Sequence, residues 1–119
     1  MRDYPKELAE AQGREDWESA AAIAERDLGD LDLAAELWMR VFERDEANLP
    51  AHDALERLFT ATQRWMELTS ILEHRIQLAH DDAELARCYS KLLAVYRDEL
   101  ADDHKAAETE QRLRDLTGG

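Results

Sequence analysis

This chain is poor in the residues that cross-link, break helices or build strands. It has one cysteine, Cys88, so no disulfide forms within the chain, and the count fits a reducing compartment. Two prolines and four glycines in 119 residues leave no linker-rich stretch between domains. No β-branched or aromatic run of strand length occurs. No stretch approaches the ~18 apolar residues of a membrane span. The segment Met1-Arg2-Asp3-Tyr4-Pro5-Lys6-Glu7 lacks the apolar centre of a signal peptide, so a cytoplasmic protein is expected. Basic residues are outnumbered, 15 against 28 acidic, and the formal net charge is −13. Such a surface repels phosphate backbones and anionic lipid, so neither nucleic acid nor membrane is an expected partner. A protein with a basic segment is compatible with it. Acidity also keeps a helical protein soluble without naming any partner.

Signs of chemistry are equally sparse. No glycine-rich phosphate loop occurs, and no Ser, Cys and His set has the arrangement of a nucleophilic site. The four histidines, His52, His74, His80 and His104, show no i, i+4 pairing, and structural zinc usually needs four N or S ligands. Asp81, Asp82, Asp102 and Asp103 stand at expected helix starts, where capping accounts for them. Glu36/Arg40 and Glu108/Arg112 read as i, i+4 pairs along helices. Cys88 borders an apolar stripe and reads as a structural residue. No catalytic residue, metal or cofactor is expected, and the chain is read as a non-enzyme.

What the chain has is helix former and periodicity. Apolar residues make up 45% of it. Ala, Leu, Glu and Arg dominate, which favours an all-α fold. Seven helices are expected, at about 5–12, 15–28, 31–44, 48–62, 65–79, 82–100 and 104–116. Asp30 should cap the third, and Asp81 with Glu84 should form a capping box on the sixth. Trp17, Ala20, Ala21, Ala24 and Leu28 share one face of the second helix. Ala34, Leu37, Trp38, Val41 and Phe42 do so on the third, and Tyr89, Leu92, Leu93 and Tyr96 on the sixth. Breaks are short, so consecutive helices should fold back antiparallel.

The pattern also recurs. Leu28-Gly29-Asp30-Leu31-Asp32-Leu33-Ala34-Ala35-Glu36 returns as Leu100-Ala101-Asp102-Asp103-His104-Lys105-Ala106-Ala107-Glu108, 72 positions later. A degenerate copy, Gln63-Arg64-Trp65-Met66-Glu67-Leu68, lies between them, so that Ala34, Leu68 and Ala106 are spaced by 34 and 38 residues. Periods of this size mark stacked helical hairpins, none able to bury its apolar face alone.

These residues resemble the tetratricopeptide repeat. Gly29-Asp30, Ala34, Trp38 and Val41 match the turn and second helix of one unit. His52, Leu55, Glu56 and Phe59, then Gln63-Arg64, Leu68 and Leu72, match a second. Tyr89, Leu92, Leu93 and Tyr96, then Ala101-Asp102, Ala106 and Leu113, match a third. Asp27-Leu28-Gly29 and Glu99-Leu100-Ala101 carry one residue more than the repeat before the turn. His52 and Glu56 stand where a large apolar and a small residue are usual. Arg64-Trp65-Met66-Glu67-Leu68 with Ile71-Leu72-Glu73 is similar to divergent repeats of large bacterial scaffold proteins.

The resemblance implies an antiparallel helical-hairpin stack of about three repeats over residues 15–116. A short N-terminal helix and turn at 1–14 would act as a cap, and 117–119 would be a flexible tail. It also implies a concave groove along the first helices of the hairpins. The family's groove positions fall on Glu15, Glu18 and Glu25, on Asp53, Arg57 and Thr60, and on Arg87, Ser90 and Arg97. That groove would be acidic toward the N-terminus and basic toward the C-terminus. The expected function is non-catalytic capture of a peptide or helix by a protein-interaction scaffold. A self-associating structural subunit, a fragment of a larger repeat scaffold and an enzyme accessory domain are the alternatives. The oligomeric state stays open.

Overall fold

The computed structural model describes residues 2–118, and these are all-helical, with no strand among them. The helices are α1 (Tyr4–Gly13), α2 (Trp17–Ala22), α3 (Leu31–Arg44), α4 (Leu49–Ala61), α5 (Trp65–Leu78), α6 (Asp82–Ala94) and α7 (Asp103–Thr117). Helix α2 continues as a π-helical turn at Ile23–Asp27, and α6 does the same at Val95–Glu99. Helix α7 takes in Thr117 of the expected tail, Gly118 adopts a left-handed conformation behind it, and Gly119 lies outside the described residues.

Polar side chains start most of these helices by accepting from the backbone N–H groups that have no partner in the helix. Asp3 accepts from Lys6 N at 3.0 Å, Asp16 from Ser19 N at 3.3 Å and Asp30 from Leu33 N at 3.0 Å. Asn48 accepts from Ala51 N at 2.9 Å, Asp81 from Glu84 N at 2.8 Å and Asp102 from Lys105 N at 3.0 Å. Only half of the expected capping box on α6 forms. The Glu84 carboxylate instead accepts from Arg75 Nε of α5 at 2.6 Å.

The two copies of the recurring segment fold alike. Leu28 N donates to Ile23 O at 3.0 Å, and Leu100 N to Val95 O at 2.9 Å, both five residues back. Asp30 N then donates to Ala24 O, and Asp102 N to Tyr96 O, each at 2.8 Å. The residue between, Gly29 in one copy and Ala101 in the other, has φ of 66° and 50°. The extra residue before each turn is thus absorbed by widening the last helical turn from four residues to five.

The chain divides into two compact units, residues 1–63 and 64–119. In the first, α1 packs on α2 and its π-turn, α2 packs on α3, and α3 packs on α4. Ala20, Ala21, Ala24, Ala34, Ala35 and Ala51 are completely buried there, which is how the helix backbones come close. Phe42, Leu55, Leu58 and Phe59 supply the bulk. Leu8 and Ala11 bury the inner face of α1. His52 is also in this core. Its ring meets Phe42 edge-on at 5.3 Å, and its Nε2–H donates to the Glu46 carbonyl at 2.6 Å. Its Nδ1 is buried without a partner. In the second unit, α6 packs on both α5 and α7 around Leu68, Leu72, Cys88, Leu92, Val95, Tyr96 and Ala106.

Candidate functional site

The nine groove positions divide between the units, six in the first and three in the second. In the first unit, Glu18 sits at the start of α2 and Glu25 in the π-turn that ends it. Glu15 does not belong to a helix. It occupies a left-handed position, φ 58°, in the turn before Asp16 caps α2. Its carboxylate accepts from Arg44 Nη2 of α3 at 2.8 Å, and its carbonyl from Arg44 Nη1 at 3.2 Å. Asp53, Arg57 and Thr60 are exposed positions of α4. The Thr60 hydroxyl donates back to the Glu56 carbonyl at 2.7 Å.

Two side-chain pairs link α2 and its π-turn to α4 and its cap. Arg57 donates to both carboxylate oxygens of Glu25, Nη2 to Oε1 at 3.1 Å and Nη1 to Oε2. The Asn48 amide donates to Glu18 Oε1 at 3.5 Å, a long contact. Glu18 and Asn48 both stand at helix starts, whereas Glu25 and Arg57 both stand further along. The two helices therefore run in the same direction, with α3 packed against each. The charge pattern differs from the expected gradient in one respect. Arg57 faces Glu25 directly, so acid and base neutralise each other within this unit, and the paired carboxylate raises the guanidinium pKa. Asp16, at the opposite end of α2, is held below the usual carboxylate range by hydrogen bonds from Ser19.

A hollow of about 240 Å³ opens at the N-terminal end of this face. Trp17 lines it together with Glu15, Glu18, Val41 and Arg44. Arg40 and Arg44 place their guanidinium carbons 5.7 and 5.8 Å from the Trp17 ring centre. Arg40 is thus beside Trp17, not in the expected pair with Glu36.

In the second unit, Arg87 and Ser90 are exposed on α6, and Arg97 is exposed in the π-turn that follows. Arg97 Nε donates to neighbouring Asp98 at 3.1 Å. Arg87 Nη2 lies 3.8 Å from the sulfur of buried Cys88.

A hollow in this unit was missed by sequence reasoning. It is a crevice of about 290 Å³ between α5 and α7, with Tyr89, Leu92 and Tyr96 of α6 and its π-turn as the floor. Glu73, Ile76 and Gln77 of α5 form one wall, and Lys105, Glu108, Thr109 and Arg112 of α7 form the other. The Tyr96 hydroxyl donates to Glu73 Oε1 at 2.8 Å. Burial, then that carboxylate, push the phenol up to about 12. Arg112 donates to Glu108 at 3.2 Å, and its own pKa is raised chiefly by the Tyr89 hydroxyl. The apolar stripe of α6 counted Tyr89 and Tyr96 as core and so hid their hydroxyls. The usable signal was that both tyrosines carry a polar tip that needs a partner.

Among the described residues, no three His, Cys, Asp or Glu gather as metal ligands, and no helix is long and apolar enough to cross a membrane. No protein-family model, curated protein or solved structure matches the chain.

Proposed function

We propose that this chain is a non-catalytic protein-interaction module of the tetratricopeptide type, which captures a peptide or helix along the first helices of its hairpins. One observation carries this reading. In the first unit α2 and α4 run in the same direction, linked by the Glu25–Arg57 pair, while α3 packs against both. Successive hairpins of a repeat stack have this relation, and it turns one row of polar side chains outward. The matched turns at Gly29-Asp30 and Ala101-Asp102 add support, because one supersecondary unit is used twice.

A basic segment is the partner chemistry that suits the first unit best. Arg44 neutralises Glu15 and Arg57 neutralises Glu25, but Glu18 is met only by a neutral amide. Charge of this kind governs association rate and partner choice more than total affinity. The cytoplasm, where a thiol such as Cys88 stays reduced, is the proposed location.

The test is affinity capture from a native lysate, followed by mass spectrometry, with the wild-type chain beside a Glu18→Arg, Thr60→Arg variant. Both positions are exposed, so circular dichroism should be unchanged. A protein retained by the wild type and lost by the variant supports the reading. Equal capture by both removes this face from consideration.

Exposed Leu28, Leu31 and Leu49 favour a second reading, self-association through the first unit. Light scattering would then give a mass well above 13.7 kDa.

A further inference from the structure

The crevice between α5 and α7 combines an apolar floor with four charges whose signs cancel. Glu73 stands on the α5 wall, and Lys105, Glu108 and Arg112 stand on the α7 wall. These four are not equally satisfied. Arg112 and Glu108 bond each other at 3.2 Å. Lys105 has no ion pair among the described residues, nor does Glu73. The one bond of the Glu73 carboxylate comes from the neutral Tyr96 hydroxyl, which leaves its second oxygen free to accept. One uncompensated charge of each sign therefore faces the same small space, and the two do not bond each other. Between them lie Ile76, Leu92 and the rings of Tyr89 and Tyr96.

We propose that this crevice binds a small zwitterion with an apolar body, a free amino acid such as leucine being the simplest example. Its ammonium group meets Glu73, its carboxylate meets Lys105 with Arg112 behind it, and its side chain rests on Leu92 and Ile76. The volume, about 290 Å³, lies just under the range of drug-sized ligand sites, roughly 300 to 1,000 Å³, as suits a ligand smaller than those. A simple carboxylic acid would leave Glu73 unmatched and close to a second negative charge. A simple amine would do the same to Lys105. With the wall charges cancelling, the crevice gives no net field to favour an ion of either sign, so the neutral molecule with two separated charges fits best. Arg87, Ser90 and Arg97 do not line this crevice, so its occupancy is independent of peptide capture.

The test is an NMR titration of the full chain with L-leucine, N-acetyl-L-leucine and L-leucinamide, read at the tyrosine ring signals. Leucine should shift the signals of Tyr89 and Tyr96 saturably. Each analogue lacks one charge and should bind about tenfold more weakly, the effect of losing one charge-assisted contact. Glu73→Gln should abolish the preference for leucine over the N-acetyl form. The glutamine oxygen still accepts from Tyr96, so the floor stays in place. Lys105→Gln should abolish the preference over the amide, and Lys6→Gln, in the other unit, should change neither. No saturable shift by ~10 mM leucine, or equal shifts by all three compounds, would overturn the proposal.

Discussion

Exchanging glycine and alanine between the two matched turns isolates a backbone cost that side-chain packing cannot obscure. Gly29 and Ala101 occupy equivalent left-handed positions, with φ of 66° and 50°, each followed by an aspartate cap. A Cβ added at Gly29 would meet nothing within 4 Å. The whole penalty of Gly29→Ala is therefore conformational. A left-handed residue with a Cβ costs roughly 1–2 kcal/mol. Against this, alanine loses less freedom on folding than glycine, by about 0.4–1 kcal/mol. The net loss for Gly29→Ala should be about 1 kcal/mol. Ala101→Gly should gain about the same, because it removes a strain already present. In a domain of this size 1 kcal/mol corresponds to roughly 3–5 °C in Tm.

The assay is thermal melting by circular dichroism, with urea titration to confirm that the slope m is unchanged. The expected order of stability is Ala101→Gly above wild type above Gly29→Ala, with the double variant close to wild type because the two turns belong to separate compact units and share no partner. An Ala101→Gly variant less stable than wild type would refute the reasoning. It would mean that the Ala101 side chain contributes contacts worth more than its strain.

Three further outcomes follow from the geometry. Ala34→Leu should cost more than Ala106→Leu within a range of about 1–3 kcal/mol: Ala34 is 0% exposed on a helix packed from both α2 and α4, whereas Ala106 is 8% exposed on a helix packed only on α6 and its π-turn, and melts showing the reverse order would contradict this. Tyr96 has its pKa raised in the folded chain, so its contribution is fully present below about pH 10 and is lost as pH rises toward 12; wild-type stability should fall across that window and Tyr96→Phe should flatten the fall, as read by denaturant titration at each pH. A double-mutant cycle of Glu25→Gln and Arg57→Gln should return a coupling of only about 0.2–1 kcal/mol, since more than half of the Arg57 side chain is exposed, and a coupling near zero in low salt would remove this pair as a link between α2 and α4.

The helices were legible in the sequence because their signals are local. Asp30, Asn48, Asp81 and Asp102 announce the starts, and the 3.6-residue stripes announce the buried faces, so α3 runs from Leu31 to Arg44 as expected. The candidate sites were much less legible. Glu25 and Arg57 lie 32 positions apart, and Tyr96 and Glu73 lie 23 apart. No periodicity links such residues; only the packing of α3 on α4, or of α5 on α6, brings them within reach. Local pairing rules also lose to these partners. Arg40 has Glu36 one turn earlier yet sits against Trp17, and Glu84 leaves its capping box for Arg75. A long side chain at a helix surface pairs weakly along its own helix, by about 0.2–0.5 kcal/mol, so a neighbouring helix easily outbids that choice.

The extra residue before each matched turn shows how a departure from a pattern becomes structure. At a fixed 3.6-residue period, one added position would rotate everything after it by about 100°. Leu28, Gly29 and Asp30 would then leave the last turn at a different azimuth, and Asp30 would aim α3 away from α2. The five-residue hydrogen bonds at Leu28 and Leu100 take up that residue inside one wide turn. Ala24 and Tyr96 can then accept from the aspartates that begin the next helices. Both helices keep their apolar faces inward, Ala20 and Ala24 before one turn and Ala34 after it, and Leu92 and Tyr96 before the other and Ala106 after it. Widened turns of this kind sit at equivalent places 72 residues apart, whereas the turn between them, at Gln63, closes with an ordinary four-residue bond from Thr62 N to Leu58 O. The cost of poorer hydrogen-bond geometry is met twice for the same return, a corner that brings the following helix back onto the one before it.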